Sequence, residues 1–456
     1  MATDLLVRNV TVVAASGRRV TDIAIAGGRI AGLLAPGSTP FVPAVETIDA
    51  SRLFALPGLI DGHVHFRSPG LEHEEDWLTG TRAAVFGGVT TVLDMPNTVP
   101  PTDSVDRARE KLALADASAY CDFGLFGLVG EGSDSVADLA GSGLVVGLKV
   151  FLGLTTGGLA APDDDGLRRA LIAAAASGLR VAFHAEDRAI IADAEAGLRA
   201  ADRMDAIAHL ESRPVEAEVA AIDHAGRLLA ETGAAGHVLH LSSAAGLARV
   251  AAWRQRGVDL TCEVTPHHLL LGKDAYELGG LAKVNPPIRG EPDASQLLAA
   301  LSGGQLDCVA SDHAPHTAAD KSRPNIWDVS AGFAGVETLL PLMLNAVNDG
   351  RLSLERLVHA TSEAPAKTWG LWPRKGAIAV GADADLTLVD LDRVGTIRAA
   401  DLQGKNNLSP FEGRAMRGEV VLTIVRGHIV VRDGQLVGEP GWGQPLRTNS
   451  FRESIA

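Results

Sequence analysis

Six side chains suited to metal binding or proton transfer stand at or near the ends of short apolar runs in this 456-residue chain. Ile60 leads into Asp61-Gly62-His63-Val64-His65, and Lys149 lies inside Gly147-Leu148-Lys149-Val150-Phe151. Val181-Ala182-Phe183 stops at His184, Val238-Leu239 at His240, and Val309-Ala310-Ser311 at Asp312. Residues i and i+2 of an extended segment point the same way, so His63 and His65 can share one ion. His184, His240 and Asp312 add two imidazoles and a carboxylate, a donor set that divalent zinc accepts. An ammonium among cations would be repelled. Lys149 fits such a group only as a neutral amine converted by CO₂ into a carbamate, an anionic oxygen donor able to bridge two metals. Separate structural needs do not explain so many such residues at strand ends, so the joint reading is a metal site. The other histidines read as bland: His73, His209, His224, His237, His359 and His428 are expected at the surface. His267 and His268 are expected in a structured loop, and His313 is expected to orient its neighbours.

Residues this far apart converge only if the fold gathers strand ends at one place. Strands are expected at Leu56–Ile60, Val89–Met95, Tyr120–Val129, Leu144–Phe151, Arg180–His184, Val238–Leu241, Asp259–Val264 and Leu306–Ala310. Helices are expected at Trp77–Phe86, Asp165–Ala176, Val215–Thr232 and Leu352–Ala360. Alternation of strand and helix predicts a parallel sheet, and eight such strands predict a (β/α)₈ barrel, whose strand C-termini share one mouth. Neither GxGxxG nor a Walker A motif is present to suggest a doubly wound nucleotide fold. Both ends of the chain are rich in short β-branched runs with glycine turns, predicting one small β domain split in sequence. The expected division is 1–54 and 373–456 for a composite β-sandwich, with 55–372 for the barrel.

Composition bounds the remaining classes. With 46% hydrophobic and 21% charged residues, the chain is globular rather than disordered. A formal net charge of −15 argues against a nucleic-acid partner. Cys121, Cys262 and Cys308 form no CxxC pair, which excludes a disulfide framework or thiolate zinc site as the expectation. No leader-like segment or membrane-length apolar run is found, so the expected location is cytoplasmic, away from membranes. The Asn-X-Ser/Thr matches at Asn9 and Asn407 then carry no meaning.

The chain resembles the amidohydrolase superfamily, within it the cyclic amidohydrolases: dihydroorotases, allantoinases and hydantoinases. The resemblance rests on Pro57–His65, Gly87–Thr91, Gly147–Phe151, His184–Asp187, His240–Ser243 and Ser311–His316, which run through the whole barrel. It implies a small-molecule substrate and two zinc ions, one on His63 and His65, the other on His184 and His240. Carboxylated Lys149 would bridge them, with Asp312 on the first ion and a hydroxide as nucleophile. Asp312 is then the catalytic residue, passing a proton from the hydroxide to the leaving nitrogen. Homo-oligomers, dimers or tetramers, are common in the resembled family.

Within that branch the chain is most like the lysine-carboxylating dihydroorotases, which interconvert dihydroorotate and N-carbamoyl-aspartate in pyrimidine biosynthesis. There the residues matching Arg67, Asn97 and His316 clasp the substrate carboxylate, and a guanidinium is its natural bidentate partner. Asn285, in the dihydroorotase-like stretch Lys283–Arg289, is placed in the same substrate-binding group. Ser68 stands where many dihydroorotases carry an acidic residue. Thr155-Thr156-Gly157-Gly158 resembles their Ser/Thr-Gly loop, whereas Trp327–Thr338 and Ser409–Arg414 resemble allantoinases in part.

Overall fold

The computed structural model describes residues 3–38, 43–131, 135–153 and 161–446. Five strands open the chain: β1 (Thr3–Ala14), β2 (Gly17–Ala26), β3 (Arg29–Leu34), β4 (Ala44–Asp49) and β5 (Phe54–Pro57). Eight short strands follow: β6 (Leu59–Val64), β7 (Val89–Asp94), β8 (Asp122–Val129), β9 (Gly147–Phe151), β10 (Arg180–His184), β11 (Ala235–Val238), β12 (Leu260–Val264) and β13 (Cys308–Val309). Four more close it: β14 (Leu386–Thr396), β15 (Ala415–Val425), β16 (His428–Arg432) and β17 (Gln435–Leu436).

The first and last groups form one sheet in the order β17-β16-β15-β14-β5-β1-β2-β3, with β4 on β1. The two ends of the chain meet where β14 runs antiparallel to β5, pairing Leu386 with Pro57 and Leu388 with Ala55. Val7, Ile23, Ile25, Leu386 and Ile424 are fully buried there and supply its apolar core.

The middle eight strands pair in sequence order, all parallel. They are covered on both faces, which is why β7, β8 and β9 are buried throughout and read as apolar runs rather than alternations. They make a nearly closed (β/α)₈ barrel. Between β13 and β6 the ring closes without a ladder. His65 N–H donates to the His313 carbonyl at 2.8 Å, and Ser311 N–H donates to Asp61 Oδ1 at 3.0 Å. Burial pushes the Asp61 carboxyl up to about 6.

The structure divides one expected strand. Leu56–Ile60 splits into β5, in the terminal sheet, and β6, in the barrel, with Gly58 between them. A Cβ on Gly58 would lie 2.1 Å from Thr90 Oγ1 and 2.8 Å from Asp385 Cβ, so the crossing tolerates only glycine. Helices Trp77–Phe86 and Val215–Thr232 have the expected bounds. The expected Asp165–Ala176 runs Asp164–Ser177, capped by the Asp163 carboxylate, which accepts from Gly166 N–H at 2.7 Å, and ended by left-handed Gly178. The expected helix Leu352–Ala360 is Leu354–Val358, followed by a wider π turn over His359–Glu363. Pro365 has no N–H to give to the Thr361 carbonyl, which favours that widening. Among the described residues no helix is long and apolar enough to cross a membrane.

Candidate metal centre and substrate pocket

His63 is the fifth residue of β6, and His65 lies one residue past its end. The Nε2 atoms of both rings lie 3.3 Å from Asp312 Oδ1. The opposite ring nitrogens are engaged behind: His63 Nδ1 contacts Glu263 Oε1 at 2.7 Å, and His65 Nδ1 contacts Asn97 Oδ1 at 2.8 Å. With the ring hydrogens on Nδ1, both Nε2 lone pairs face a carboxylate. Lone pairs and an anion turned toward one point, with ligand atoms all within 4.8 Å of one another, are complementary to a cation. Burial pushes the Asp312 carboxyl up, yet the surrounding imidazoles, His63 foremost, outweigh this and hold it well below the usual carboxylate range. Burial also pushes His65 down to about 3, keeping its ring neutral and available as a ligand.

His184 ends β10, and His240 stands two residues beyond β11. Glu186 Oε2 lies 2.9 Å from His184 Nε2 and is also bound by the Arg213 guanidinium. That leaves His184 Nδ1 facing His240 Nε2 at 3.0 Å, while His240 Nδ1 is buried without a hydrogen-bond partner. Two imidazole nitrogens turned on each other fit a pair of ligands for one ion. The four rings form a continuous row, with centroids 5.2 Å apart from His65 to His63, 5.3 Å to His240 and 4.7 Å to His184.

Lys149 is fully buried in β9, its Nζ has no hydrogen-bond partner, and it lies 4.4 Å from the Phe151 ring centroid. Burial drives its pKa down to about 7, although Asp312 and Glu263 pull the other way. An amine that is neutral near pH 7 is nucleophilic toward CO₂, which is what carbamate formation requires. All six residues line one recess at the barrel mouth. Three residues of this wall, Arg67, His240 and Asp312, have left-handed φ of 62°, 35° and 48°. Strain of this kind in non-glycine residues concentrates at functional sites.

Arg67, Asn97 and Asn285 also face the recess. Asn285 Oδ1 is buried without a partner. Arg67 makes an ionic contact from Nε to Glu74 Oε2 at 3.0 Å that lacks hydrogen-bond alignment, and its Nη2 lies 3.1 Å from His316 Nε2. His316 therefore sits behind Arg67 rather than on the wall.

Two expected surface histidines are corrected. His209 and His237 are buried, at 2% and 0% exposure. His209 Nε2 contacts the Val284 carbonyl at 3.0 Å, supporting the segment that carries Asn285. His237 Nε2 lies 3.2 Å from Glu263 Oε2. Both rings are buried because later segments fold over them, contacts no local pattern announces. His73 and His428 are exposed, and His224 and His359 half-buried. His267 and His268 are buried, and His313 takes the Gly335 N–H on its Nδ1 at 3.1 Å. Thr155, Thr156 and their loop lie outside the described residues. Sequence reasoning missed Glu263, Glu186 and Glu74. Glu263 had a signal: it is the last residue but one of β12, near the level where the other strands present candidate ligands.

The sequence profile of the amidohydrolase family matches residues 54–430. A dihydroorotase of Halobacterium salinarum is 41% identical over 429 residues, 92% of this chain and 97% of that protein. An allantoinase of Rubrobacter xylanophilus is 40% identical over 96% of each chain. The solved L-hydantoinase of Arthrobacter aurescens superposes with a TM-score of 0.95 at 35% identity, covering 98% of this chain and all of that one. With the profile spanning most of its length and relatives at about 40% identity covered nearly end to end, the chain belongs to the amidohydrolase family.

Proposed function

We propose that the protein is a binuclear zinc cyclic amidohydrolase of dihydroorotase type, interconverting dihydroorotate and N-carbamoyl-L-aspartate. His63, His65 and Asp312 would hold one ion, His184 and His240 the other, and carboxylated Lys149 would join them. Bound divalent metal supplies a water of lowered pKa and Lewis-acid polarisation of the amide carbonyl. Glu263 and Asn97 hold His63 and His65 with Nε2 turned to the recess, and Glu186 does the same for Nδ1 of His184. As the attacking water adds its oxygen to the ring amide carbon, the Asp312 carboxylate, held deprotonated on the recess wall, accepts the water's proton and hands it to the ring nitrogen as the C–N bond opens. Ring closure runs the same transfer backward.

The observation that carries the substrate choice is Arg67 on the recess wall. Its Nη1 has no hydrogen-bond partner among the described residues, so the outer edge of the fork remains available to a carboxylate. Asn97 and Asn285 flank the same space. A second reading, a neutral ring such as allantoin or hydantoin, is favoured by Glu74, which balances the Arg67 charge. Turnover of dihydroorotate, dihydrouracil, allantoin and hydantoin by metal-replete protein separates the two. The first reading expects dihydroorotate to be preferred, and Arg67→Met to cripple its turnover while metal content is unchanged. Unchanged dihydroorotate turnover in that variant would sink it.

A further inference from the structure

Glu74 is 7% exposed, and its two oxygens go to two different residues facing or backing the recess. Oε2 lies 3.0 Å from Arg67 Nε, and Oε1 lies 2.8 Å from His316 Nδ1. Arg67 follows β6 and His316 follows β13, so one carboxylate ties together loops from either side of the barrel closure. Glu74 is held in turn by the far end of the chain. Asn406 Nδ2 donates to the Glu74 carbonyl at 2.6 Å, and Lys405 Nζ donates to the Glu72 carbonyl at 2.6 Å. A side chain placed this firmly, yet absent from the recess wall, acts on substrate through Arg67.

Two opposed effects follow from its charge. A buried guanidinium without a counter-ion is costly, so Glu74, foremost of the carboxylates around Arg67 and backed by Asp312, Asp94 and Glu75, helps hold it charged and in place when no substrate is bound. The same carboxylate lies behind the fork that an anionic substrate would approach, and like charges at such separations repel measurably in a partly desolvated site. We propose that Glu74 is a specificity-determining positioning residue, whose charge sets how strongly the recess favours a ring bearing a carboxylate over the same ring without one.

The proposal rests on the dihydroorotase reading for its substrate pair, L-dihydroorotate and dihydrouracil, which differ only by that carboxylate. Turnover and calorimetric binding of both are measured on metal-replete wild type, Glu74→Gln and Glu74→Ala. Glu74→Gln keeps the shape and removes the charge. It should lower KM and Kd for dihydroorotate about fivefold or more, leaving its kcat and the dihydrouracil constants within about twofold. Glu74→Ala releases both anchors and should raise KM for dihydroorotate. Equal shifts for both rings in Glu74→Gln, or none, would overturn the proposal and leave Glu74 a structural brace. Wild type that binds dihydroorotate without turning it over overturns the dihydroorotase reading alone, and the binding ratio still judges Glu74. Wild type that binds neither ring overturns both.

Discussion

Two fully buried lysines sit at opposite ends of the barrel, and their surroundings give them opposite uses. Lys149, at the mouth, has no hydrogen-bond partner, and burial lowers its pKa to about 7. Lys375 lies at the other end, near the start of β8, with Nζ 2.7 Å from Asp122, 2.6 Å from Asp385 and 3.3 Å from Asp383. Burial works against its charge, but these three carboxylates outweigh it and raise the pKa above the ordinary lysine value. By carboxylate geometry alone, Asp122, Asp383 and Asp385 could also hold a metal ion. There the ammonium already fills the position. A lysine with partners serves as a structural cation, whereas one deprived of them is left free for the reaction with CO₂ proposed for Lys149.

The sharpest way to break this contrast is to remove each amine. Lys149→Met should cut turnover by about 10³-fold while the metal-free protein melts no lower than metal-free wild type, since there the buried amine has no partners to lose. Lys375→Met should do the reverse. It strands buried carboxylates and should cost about 3–5 kcal/mol in denaturant unfolding, with kcat per folded molecule preserved. Stability loss in the first variant, or activity loss without destabilisation in the second, would erase the distinction. Next in size, Glu263→Gln should weaken metal retention or activity by about 10–100-fold, because it loosens His63 and His237 without removing a ligand.

The smallest effect is a difference in pH slope, measured on metal-free protein without CO₂. The folded pKa of Lys149 is depressed, so between about 7 and the ordinary lysine value the unfolded chain binds a proton that the folded chain does not. Its contribution to stability therefore rises with pH over that window and is lost as pH falls toward about 7. Lys375 has a raised folded pKa, so its contribution is complete below the ordinary lysine value and is lost only as pH climbs beyond it. The stability of wild type minus that of the variant should therefore rise with pH for Lys149→Met and fall with pH for Lys375→Met.

The convergence of the six candidate ligands on one recess was legible because each lies at or near the end of an apolar run, and a parallel barrel turns that local pattern into proximity. Helices Trp77–Phe86 and Val215–Thr232 were legible from their own apolar spacing. What holds the ligands was not. Glu263 supports His63 from 200 positions away, and Glu186 meets Arg213 across a helix pair, so their roles depend on ring closure rather than on neighbours. The split at Gly58 was hidden too. Leu56 and Ile60 look like one apolar strand, and only the packing of Thr90 and Asp385 against the glycine parts them. Glu74 carried no signal of its own in the sequence, because Asn406, which pins its backbone, lies 332 positions away.

The seam between β13 and β6 has a mechanical meaning. Seven joints of the barrel are backbone ladders; the eighth is stitched by the Asp61 side chain and by the His65–His313 hydrogen bond. His63 and His65 stand on one side of that joint and Asp312 on the other. Ligation by all three residues would rivet the stave that the strands leave loosest, so depletion of metal should first quicken amide exchange along this seam. The reaction centre and the closure of the barrel would then be the same piece of hardware.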